Sequence, residues 1–377
     1  MRIGIFETDH FEVAHTLVRL FDQPQHQLTI FIYASSYAPL QSLLSAEQMQ
    51  RHQWIIKPES QSKAAFIWQV YKISKQQKLD LLWLETVTDN FIFYNWLVRA
   101  LNSVRVILTI HDINSYFFFR QDGSFRRSVR NRGKQELIRH INEFTVINST
   151  MTEYLSSLLP EGKTVRYIPG AFFDPVQMHT AGGFEEGIRL VVPGSVDVRR
   201  RDYGQVFELL DLCRQQEVRI KVTLLGGYME EHGGAVIRRC REYAQRYGNL
   251  HWYEQLVVDQ SEFDRQMRSA HLLFAPTVVK TTISDDVEEV YGKSLSSGNI
   301  ADCVRFAIPA IMPVQLNTGE EMAHIVARYT HLKEIPDLLK LIRDDRNKYP
   351  EWREQALNAS KEFTLGKIRD RHPDVFL

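Results

Sequence analysis

The sequence predicts an α/β fold in which two doubly wound parallel-sheet domains face each other across a cleft. Short apolar runs alternate with amphipathic segments of helical length, a pattern typical of such sheets, and this alternation occurs twice along the 377 residues. With 44% hydrophobic and 24% charged residues, a chain of this length can bury the cores that two domains need.

The first domain is predicted to span residues 1–173. Each of its strands is a short apolar run between polar turns, and helices fill the gaps. The predicted strands are Ile3–Phe6, Leu28–Tyr33, Leu79–Leu84, Val104–Ile110, Phe144–Asn148 and Val165–Ile168. Residues 174–187 follow neither the helical nor the strand period and contain Pro and a Gly pair, which predicts an interdomain linker.

The second domain is predicted to span residues 188–340, followed by closing helices in 341–377 that either stay with it or cross back to the first domain. Its predicted strands are Leu190–Pro193, Lys221–Leu225, Leu250–Tyr253, Leu272–Ala275 and Ala310–Met312. Helices are predicted near 204–216, 232–247, 261–269 and 298–307, and then over Pro336–Arg346 and Pro350–Phe363.

Composition excludes several classes of protein. Lys plus Arg equals Asp plus Glu at 46 each, which argues against a protein that coats nucleic acid. Cys213, Cys240 and Cys303 lack the paired spacing of a zinc site or a disulfide framework. Met1 leads directly into an apolar strand, and no stretch has the length of a membrane span. We expect a cytoplasmic protein, either soluble or peripheral at the inner membrane face.

The segment Glu289–Pro313 joins a small-residue turn to a helix and then to a buried strand. Hydroxyls, backbone N–H groups and the helix dipole at such a start favour a bound anion. The residues that could hold a phosphate here are Lys293, Ser294, Ser297 and Gly298. The alternative is an ordinary capped surface helix, since Ser and Gly are common at helix starts.

A second candidate anion site follows the strand Leu190–Pro193. Gly194 allows a close approach to the backbone, and Arg200 and Arg201 belong to a run of three arginines whose guanidinium groups match phosphate oxygens. Ligands bind at the carboxyl ends of strands in open α/β sheets, so both sites should lie at one edge. Two anion sites at one edge would suit a diphosphate, whereas a solvated basic turn is the alternative.

The order of motifs resembles the donor-binding domain of GT-B glycosyltransferases, which have two Rossmann-like domains, and in particular the retaining family 4 enzymes. The motifs that carry the resemblance are PGSVDVRRRDY, KVTLLGG, NLHWYEQ, AHLLFAP and EVYGKSLSSG. In the first half, VILTIHD, FTVINST and VRYIPGAFF agree less specifically. The resemblance implies a transferase that moves a hexosyl group from a nucleotide-diphosphate sugar to a glycan, lipid-linked or other hydroxyl acceptor, in bacterial-type polysaccharide or glycoconjugate synthesis.

The resemblance also implies roles for individual residues. Gly194 with Arg200 or Arg201 would hold the donor pyrophosphate, and we prefer Arg200. The family's two glutamates, seven residues apart, fit imperfectly. Glu289 matches the first, with Glu288 as a rival, and the second position falls on Ser297; counting back from Pro309 instead gives Asp302 and places Ser294 first. We expect Glu289 to contact the transferred sugar and Asp302 to be a weaker nucleoside contact.

Other site residues follow from the same resemblance. His111 lies at the end of an apolar strand and would face the donor sugar, and His10 would lie on the acceptor side with Arg120. A segment from Tyr253 to Leu256 would bind the nucleoside. The family mechanism implies retention without a metal or a further cofactor. Two alternatives stay open, a non-catalytic GT-B protein that binds a nucleotide or sugar, and a GT-B epimerase or phosphorylase.

The segment Asn114–Arg139 concentrates aromatic and basic residues. Tyr116 and the phenylalanines after it, next to Arg120 and the following cations, could lie on an anionic bilayer or hold a lipid diphosphate. The alternative is that the aromatic rings pack in the first domain and the charges form a solvated helix face.

Overall fold

The computed structural model of the chain describes residues 1–119, 124–177, 181–282 and 287–377. It confirms the predicted fold class, since two parallel sheets of seven and six strands form two domains. Within these described segments, no helix combines the length and the apolar character that crossing a bilayer requires.

The N-terminal domain is built on the seven-stranded sheet, with order β3-β2-β1-β4-β5-β6-β7 and every pairing parallel. Its strands are β1 (Arg2–Glu7), β2 (Gln27–Tyr33), β3 (Gln53–Lys57), β4 (Leu81–Leu84), β5 (Arg105–Thr109), β6 (Glu143–Val146) and β7 (Thr164–Tyr167). Its helices are α1 (Phe11–Phe21), α2 (Ala34–Ser42), α3 (Ala46–Arg51), α4 (Lys63–Gln77), α5 (Phe91–Ala100), α6 (Ile113–Phe117), α7 (Phe125–His140) and α8 (Thr152–Leu158). Helices α4, α5, α7 and α8 share one core, and α1 and α2 share another.

The C-terminal domain has the parallel order β10-β9-β8-β11-β14-β15 and a separate antiparallel hairpin, β12-β13. Its strands are β8 (Ile188–Pro193), β9 (Ile220–Leu225), β10 (Leu250–His251), β11 (Leu272–Phe274), β12 (Lys280–Thr281), β13 (Glu289–Val290), β14 (Ala310–Pro313) and β15 (Val326–Tyr329). Its helices are α9 (Tyr203–Gln215), α10 (Glu230–Ala244), α11 (Gln260–Ser269), α12 (Gly298–Phe306), α13 (Ile335–Asp344) and α14 (Lys348–Ser360). Single 3-10 turns cover Ser149–Met151, Pro175–Gln177, Glu320–Met322, Leu332–Glu334 and Lys361–Phe363.

Two strands of the parallel sheets were not predicted, β3 and β15. Both are edge strands, at the ends of their sheets, and both contain consecutive positions that are not buried. They therefore lack the continuous apolar run that marks the central strands. The predicted linker 174–187 contains the 3-10 turn Pro175–Gln177, while its residues 178–180 lie outside the described residues.

The end of the chain packs on the N-terminal domain through α15 (Leu365–Arg371) and α16 (Pro373–Phe376). The Phe376 ring is fully buried, with its centroid 4.8 Å from that of Phe21 and 6.2 Å from that of Trp83. Arg369 donates hydrogen bonds to the carbonyls of Arg19 and Leu20 at the end of α1. The C-terminal helices thus complete a core of the first domain.

We predict that Phe376→Ala destabilises the N-terminal domain, because it removes a ring from a closed aromatic cluster and leaves a cavity. The expected loss is about 3 kcal/mol in the free energy of unfolding, measured by urea denaturation. Leu377→Ala is the matched control, because that neighbouring side chain is 63% exposed and its truncation should change little. Equal effects of the two substitutions would contradict this packing.

Candidate functional site

The two domains contact each other along a seam between residues 111–115 and residues 288–296. The N–H of Ile113 donates to the carbonyl of Ser294 at 2.8 Å, and the N–H of Ser296 donates to the carbonyl of His111 at 3.4 Å. Asp112 and Leu295 form an isolated antiparallel bridge. The seam joins the segment after β5 to the turn before α12, so the carboxyl ends of both sheets border one interdomain cleft.

Glu289 lies inside this seam. Its Oε1 accepts a 2.8 Å hydrogen bond from the N–H of Ser115, in the first turn of α6, and the side chain is almost fully buried. Within the described part of the chain, Oε2 has no hydrogen-bond partner. Burial raises the pKa of Glu289 to about 7, and the charge of Asp112 contributes in the same direction. A sugar can reach this carboxyl only when the seam opens.

Ser294 and Lys293 both contribute to the contact between the domains. The buried Ser294 hydroxyl accepts a 2.9 Å hydrogen bond from the N–H of Val290, which closes the turn after β13. The Lys293 ammonium lies 4.8 Å from the centroid of the Tyr154 ring in the N-terminal domain. In this conformation, therefore, the turn itself occupies the Ser294 hydroxyl, and Lys293 is directed towards α8.

The loop after β8 and the start of α12 converge on one atom, the carbonyl oxygen of Pro193. Arg201 Nη2 donates to this oxygen, and Asn299 Nδ2 donates to it at 3.3 Å. Gly194 has a φ of +93°, and a Cβ there would lie 2.5 Å from Arg201 Nη2. Only glycine fits a backbone in this conformation so close to the guanidinium. The two predicted anion-binding elements are thus neighbours.

The first turn of α12 provides an anion-binding geometry. Ser297 is the N-cap residue, and within the described chain its side chain makes no capping hydrogen bond. Gly298 follows at the first helical position, and the space where its Cβ would lie is open. Asp302 lies one turn further on, where burial raises its pKa to about 7 against the opposing charge of Arg305. Near neutral pH, Asp302 would therefore be partly protonated, which weakens its repulsion of an anion.

Arg200 lies in the loop after β8, on the C-terminal side of the cleft. Its side chain is 44% exposed, with Nε 3.7 Å from Asp197 Oδ2, whereas Arg199 forms the shorter ion pair with this carboxylate, at 2.7 Å. Burial lowers the pKa of His10 to about 3, and the charges of His111 and Arg200 lower it further.

The loop after β9 packs between the Gly194 loop and the loop after β10. A Cβ on Gly226 would lie 2.2 Å from the carbonyl oxygen of Gly194, and one on Gly227 would lie 2.0 Å from that of Leu256. The Leu256 side chain is exposed, and the Tyr253 hydroxyl donates to Glu262. The predicted nucleoside-binding segment is therefore separated from the predicted phosphate-binding loop by the loop after β9.

The N-terminal side of the cleft holds a cluster of titratable groups. Glu85 Oε1 lies 2.9 Å from His111 Nε2, and the rings of His111 and His10 are 4.5 Å apart between centroids. Glu7, at the end of β1, accepts hydrogen bonds from the N–H groups of Asp9 and His10. Both carboxyls are fully buried, and together with the two histidines they form what we term the strand-end cluster (Glu7, Glu85, His10 and His111).

Sequence reasoning found both histidines of this cluster and missed both glutamates. A signal for them was present, because the dipeptide Glu–Thr ends the apolar runs of both β1 and β4, at Glu7–Thr8 and Glu85–Thr86. These strands are neighbours in the sheet. Two acids at adjacent strand ends therefore had to lie close together.

Within the cluster, the pKa values of Glu7 and His111 are both raised. Burial raises the pKa of Glu7 to about 7, and the nearby charge of Glu85 adds to this. Burial alone would lower the pKa of His111, but the hydrogen bond and charge of Glu85 raise it above its usual value. The cluster can thus hold a proton near neutral pH on either a carboxyl or an imidazole.

We predict that Glu7→Gln changes how stability depends on pH. Because the pKa of Glu7 is raised to about 7 from 4.5, this carboxyl stabilises the fold at low pH and loses that contribution as pH rises through 7. Glutamine keeps an acceptor oxygen without titrating. The variant should therefore gain on the order of 2 kcal/mol over wild type between about pH 5 and about pH 8.

The measurement is urea unfolding at a series of pH values. Glu59→Gln is the control, because Glu59 is exposed on the surface, and its curve should follow the wild type. Parallel pH profiles for wild type and Glu7→Gln would show that Glu7 titrates normally in the folded protein.

One predicted site residue, Arg120, lies outside the described residues. In the segments that the structure does describe, no group of three or more His, Cys, Asp or Glu side chains is arranged to hold a metal ion.

Comparison of the structure with solved proteins identifies the architecture. No known protein-family model matches the sequence, and no curated protein matches it. The structure is similar to a sucrose-phosphate synthase from Thermosynechococcus elongatus, with a TM-score of 0.64 and 11% identity over 100% of this chain and 98% of that one. It is also similar to a glycosyltransferase from Rickettsia africae, with a TM-score of 0.63 and 10% identity over 100% of this chain and 97% of that one.

A third similar structure has a different activity. It is a UDP-GlcNAc 2-epimerase from Neisseria meningitidis, solved with UDP-GlcNAc bound, with a TM-score of 0.55 and 10% identity over 96% of this chain and 98% of that one. The chain has the GT-B fold. Because the identities are near 10%, these similarities establish the GT-B architecture and leave the activity to the chemistry of the cleft.

Proposed function

We propose that this GT-B chain is a glycosyltransferase that moves a sugar from a nucleotide-diphosphate donor to a hydroxyl acceptor. The observation that carries the proposal is the meeting of the Gly194 loop and the start of α12 at the Pro193 carbonyl. A guanidinium and a helix N-terminus side by side suit the two phosphates of one donor.

The donor would lie along the C-terminal side of the cleft. Its pyrophosphate would contact Arg200, Arg201 and the first turn of α12, at Ser297 and Gly298. The nucleoside would lie on the segment from Tyr253 to Leu256, which packs against Gly227 in the loop after β9. The sugar would then point towards the N-terminal domain, where His111 and the acceptor hydroxyl would meet it.

The reaction needs charge stabilisation at the leaving phosphate more than a dedicated base. As the bond between the anomeric carbon and the phosphate oxygen breaks, negative charge grows on the diphosphate, and Arg200 and the α12 dipole would stabilise it. In a retaining reaction the acceptor oxygen attacks from the same face, and its proton passes to the departing phosphate. His111 would orient the sugar, and Glu289 would contact it once the seam opens.

The finer assignment is to a retaining, metal-independent hexosyltransferase of bacterial-type polysaccharide or glycoconjugate synthesis, which uses a glycan or lipid-linked acceptor. Its basis is the order of motifs in the second half of the sequence. A cleft in which the donor binds on one side and the acceptor on the other would suit this class of reaction.

We predict that Arg200→Ala weakens binding of a nucleoside diphosphate roughly tenfold, because it removes a charge-assisted hydrogen bond to phosphate. Isothermal calorimetry with UDP and GDP measures the effect. Arg214→Ala is the matched control, since this arginine lies on α9 and pairs with Asp211. Unchanged affinity in Arg200→Ala would remove this arginine from the donor site, and an absence of nucleotide binding by the wild type would end the proposal.

A further prediction concerns metal. If Arg200, Arg201 and the α12 dipole stabilise the leaving diphosphate, release of free sugar from the donor should continue in excess chelator. The measurement is donor hydrolysis with and without EDTA. Complete loss of hydrolysis that magnesium restores would show that the phosphates need a cation which these residues do not replace.

The strand-end cluster favours a second candidate function, epimerisation of a nucleotide sugar. Moving a proton on and off a sugar carbon requires an acid and a base, and the buried Glu7 and His111 can exchange protons near neutral pH. Incubation of each nucleotide sugar in heavy water separates the candidates. Deuterium in the recovered nucleotide sugar favours the epimerase, transfer or free sugar favours the transferase, and tight binding without turnover favours a non-catalytic protein.

A further inference from the structure

The outer surface of the N-terminal domain carries a group of exposed apolar side chains on α4 and α5. Trp68 and Ile92 are each 47% exposed, Phe93 is 45% exposed and Trp96 is 37% exposed. The Trp96 ring packs against those of Trp68 and Tyr71, with centroids 5.2 and 5.0 Å away. The rings therefore form one continuous patch, which we term the aromatic face (Trp68, Tyr71, Ile92, Phe93 and Trp96).

Helix α5 shows why this face is unusual. Its inner side is already occupied, because Phe91, Tyr94 and Leu97 are buried in the core of the domain. Ile92, Phe93 and Trp96 consequently add a second apolar side that faces outwards. A helix that is apolar all round is expected in a fully buried position or against lipid. The described fold covers only one of its two sides.

The charge of the same layer is strongly positive. Helices α4, α5 and α7 together carry ten cations and a single acid, Glu136, whereas the whole chain is neutral. The cations are Lys63, Lys72, Lys75, Arg99, Arg126, Arg127, Arg130, Arg132, Lys134 and Arg139. Of these, Lys63 pairs with Asp89, Lys134 is buried, and Arg139 pairs with Glu136. Lys72 and Arg99 are exposed on the two helices that carry the aromatic face, whereas Arg130 of α7 donates to the carbonyl of Thr88.

Cations and rings are interleaved in this layer. The Lys72 ammonium lies 5.5 Å from the centroid of the Trp68 ring, one helical turn along α4. Arg99 lies three residues after Trp96 on the exposed side of α5, and positions three apart on a helix are neighbours. Protein interfaces are depleted of charge at their centres. Tryptophan mixed with Lys and Arg is typical of surfaces that lie at the headgroup level of a bilayer.

We propose that the aromatic face docks the chain on an anionic lipid bilayer. The rings enter the boundary between headgroups and acyl chains, and the surrounding cations contact the anionic headgroups. This places the membrane contact on α4 and α5, with α7 beside them. The sequence had pointed only to Asn114–Arg139, because Trp68 and Trp96 are 28 positions apart and meet only in the folded domain. The proposal does not depend on the reaction in the cleft.

The test is sedimentation of the full chain with vesicles of phosphatidylcholine, alone or mixed with phosphatidylglycerol. The wild type should bind only the mixed vesicles, with a blue shift in tryptophan emission. The double variant Lys72→Gln/Arg99→Gln should lower the partition coefficient about five-fold for each charge removed. Trp68→Gln/Trp96→Gln should lower binding and abolish the blue shift.

Two controls carry equivalent changes on the C-terminal domain. Arg246→Gln/Arg346→Gln removes two exposed charges, and Leu341→Gln removes an exposed apolar side chain on α13. Both should bind the mixed vesicles as the wild type does. Thermal unfolding of each variant tests whether it is folded. If the tryptophan variant is unstable, the charge variant still tests the proposal.

Three outcomes would overturn the proposal. The first is equal binding of the wild type to both vesicle types or to neither. The second is an equal loss of binding in the control variants. The third is that the wild type does not bind vesicles, is a dimer in light scattering, and becomes a monomer in the tryptophan variant. This result would assign the aromatic face to a second copy of the chain.

Discussion

The hydrogen-bonded seam between residues 111–115 and 288–296 fixes the relation between the two sheets. It is made largely of backbone groups, so it aligns two loops without depending on the identity of every side chain. The seam holds His111 opposite the turn that precedes α12. The Gly194 loop and the strand-end cluster are each built within one domain, and the seam sets how they face each other across the cleft.

The two sides of the cleft have opposite electrostatic character, and this follows from where each sheet ends. On the C-terminal side, β8 ends in Gly194 and the arginines, beside the start of α12. On the N-terminal side, β1 and β4 end in buried carboxyls. An anionic diphosphate is therefore attracted to one side and repelled from the other, so the sugar of a bound donor would point towards the proton-holding groups.

Sequence periodicity was sufficient for the central strands and for most helices, because a buried strand needs a continuous apolar run. It failed at β3 and β15, where an edge strand leaves several consecutive residues partly or fully exposed. For the site, the local sequence indicated Gly194 and Ser297 as candidates, because the backbone geometry of each depends on residues next to it in the sequence. It could not show that Glu289 caps α6, because Ser115 lies 174 residues away and the contact exists only between domains.

The glutamates of the strand-end cluster illustrate a different limit. The sequence shows Glu7 and Glu85 as acids at strand ends. Whether the two carboxyls lie close together depends on β1 and β4 being neighbours, which periodicity does not reveal. Strand order decides which side chains meet. Motifs therefore indicated candidates on the C-terminal side of the cleft, whereas the buried acids on the N-terminal side depend on topology.

The aromatic face, which we propose docks on a bilayer, is connected to the seam by packed helices and hydrogen bonds. The buried Lys134 of α7 donates a 2.7 Å hydrogen bond from Nζ to the carbonyl of Ser115, whose N–H is bound by Glu289. Helix α7 in turn packs on α5, where a Cβ on Gly133 would lie 2.8 Å from Phe91 Cβ. A bilayer bound to α4 and α5 would thus hold the N-terminal domain through helices that connect to the seam. Opening the seam would then move the C-terminal domain relative to a domain fixed on lipid, which suits a lipid-linked acceptor arriving from the membrane side.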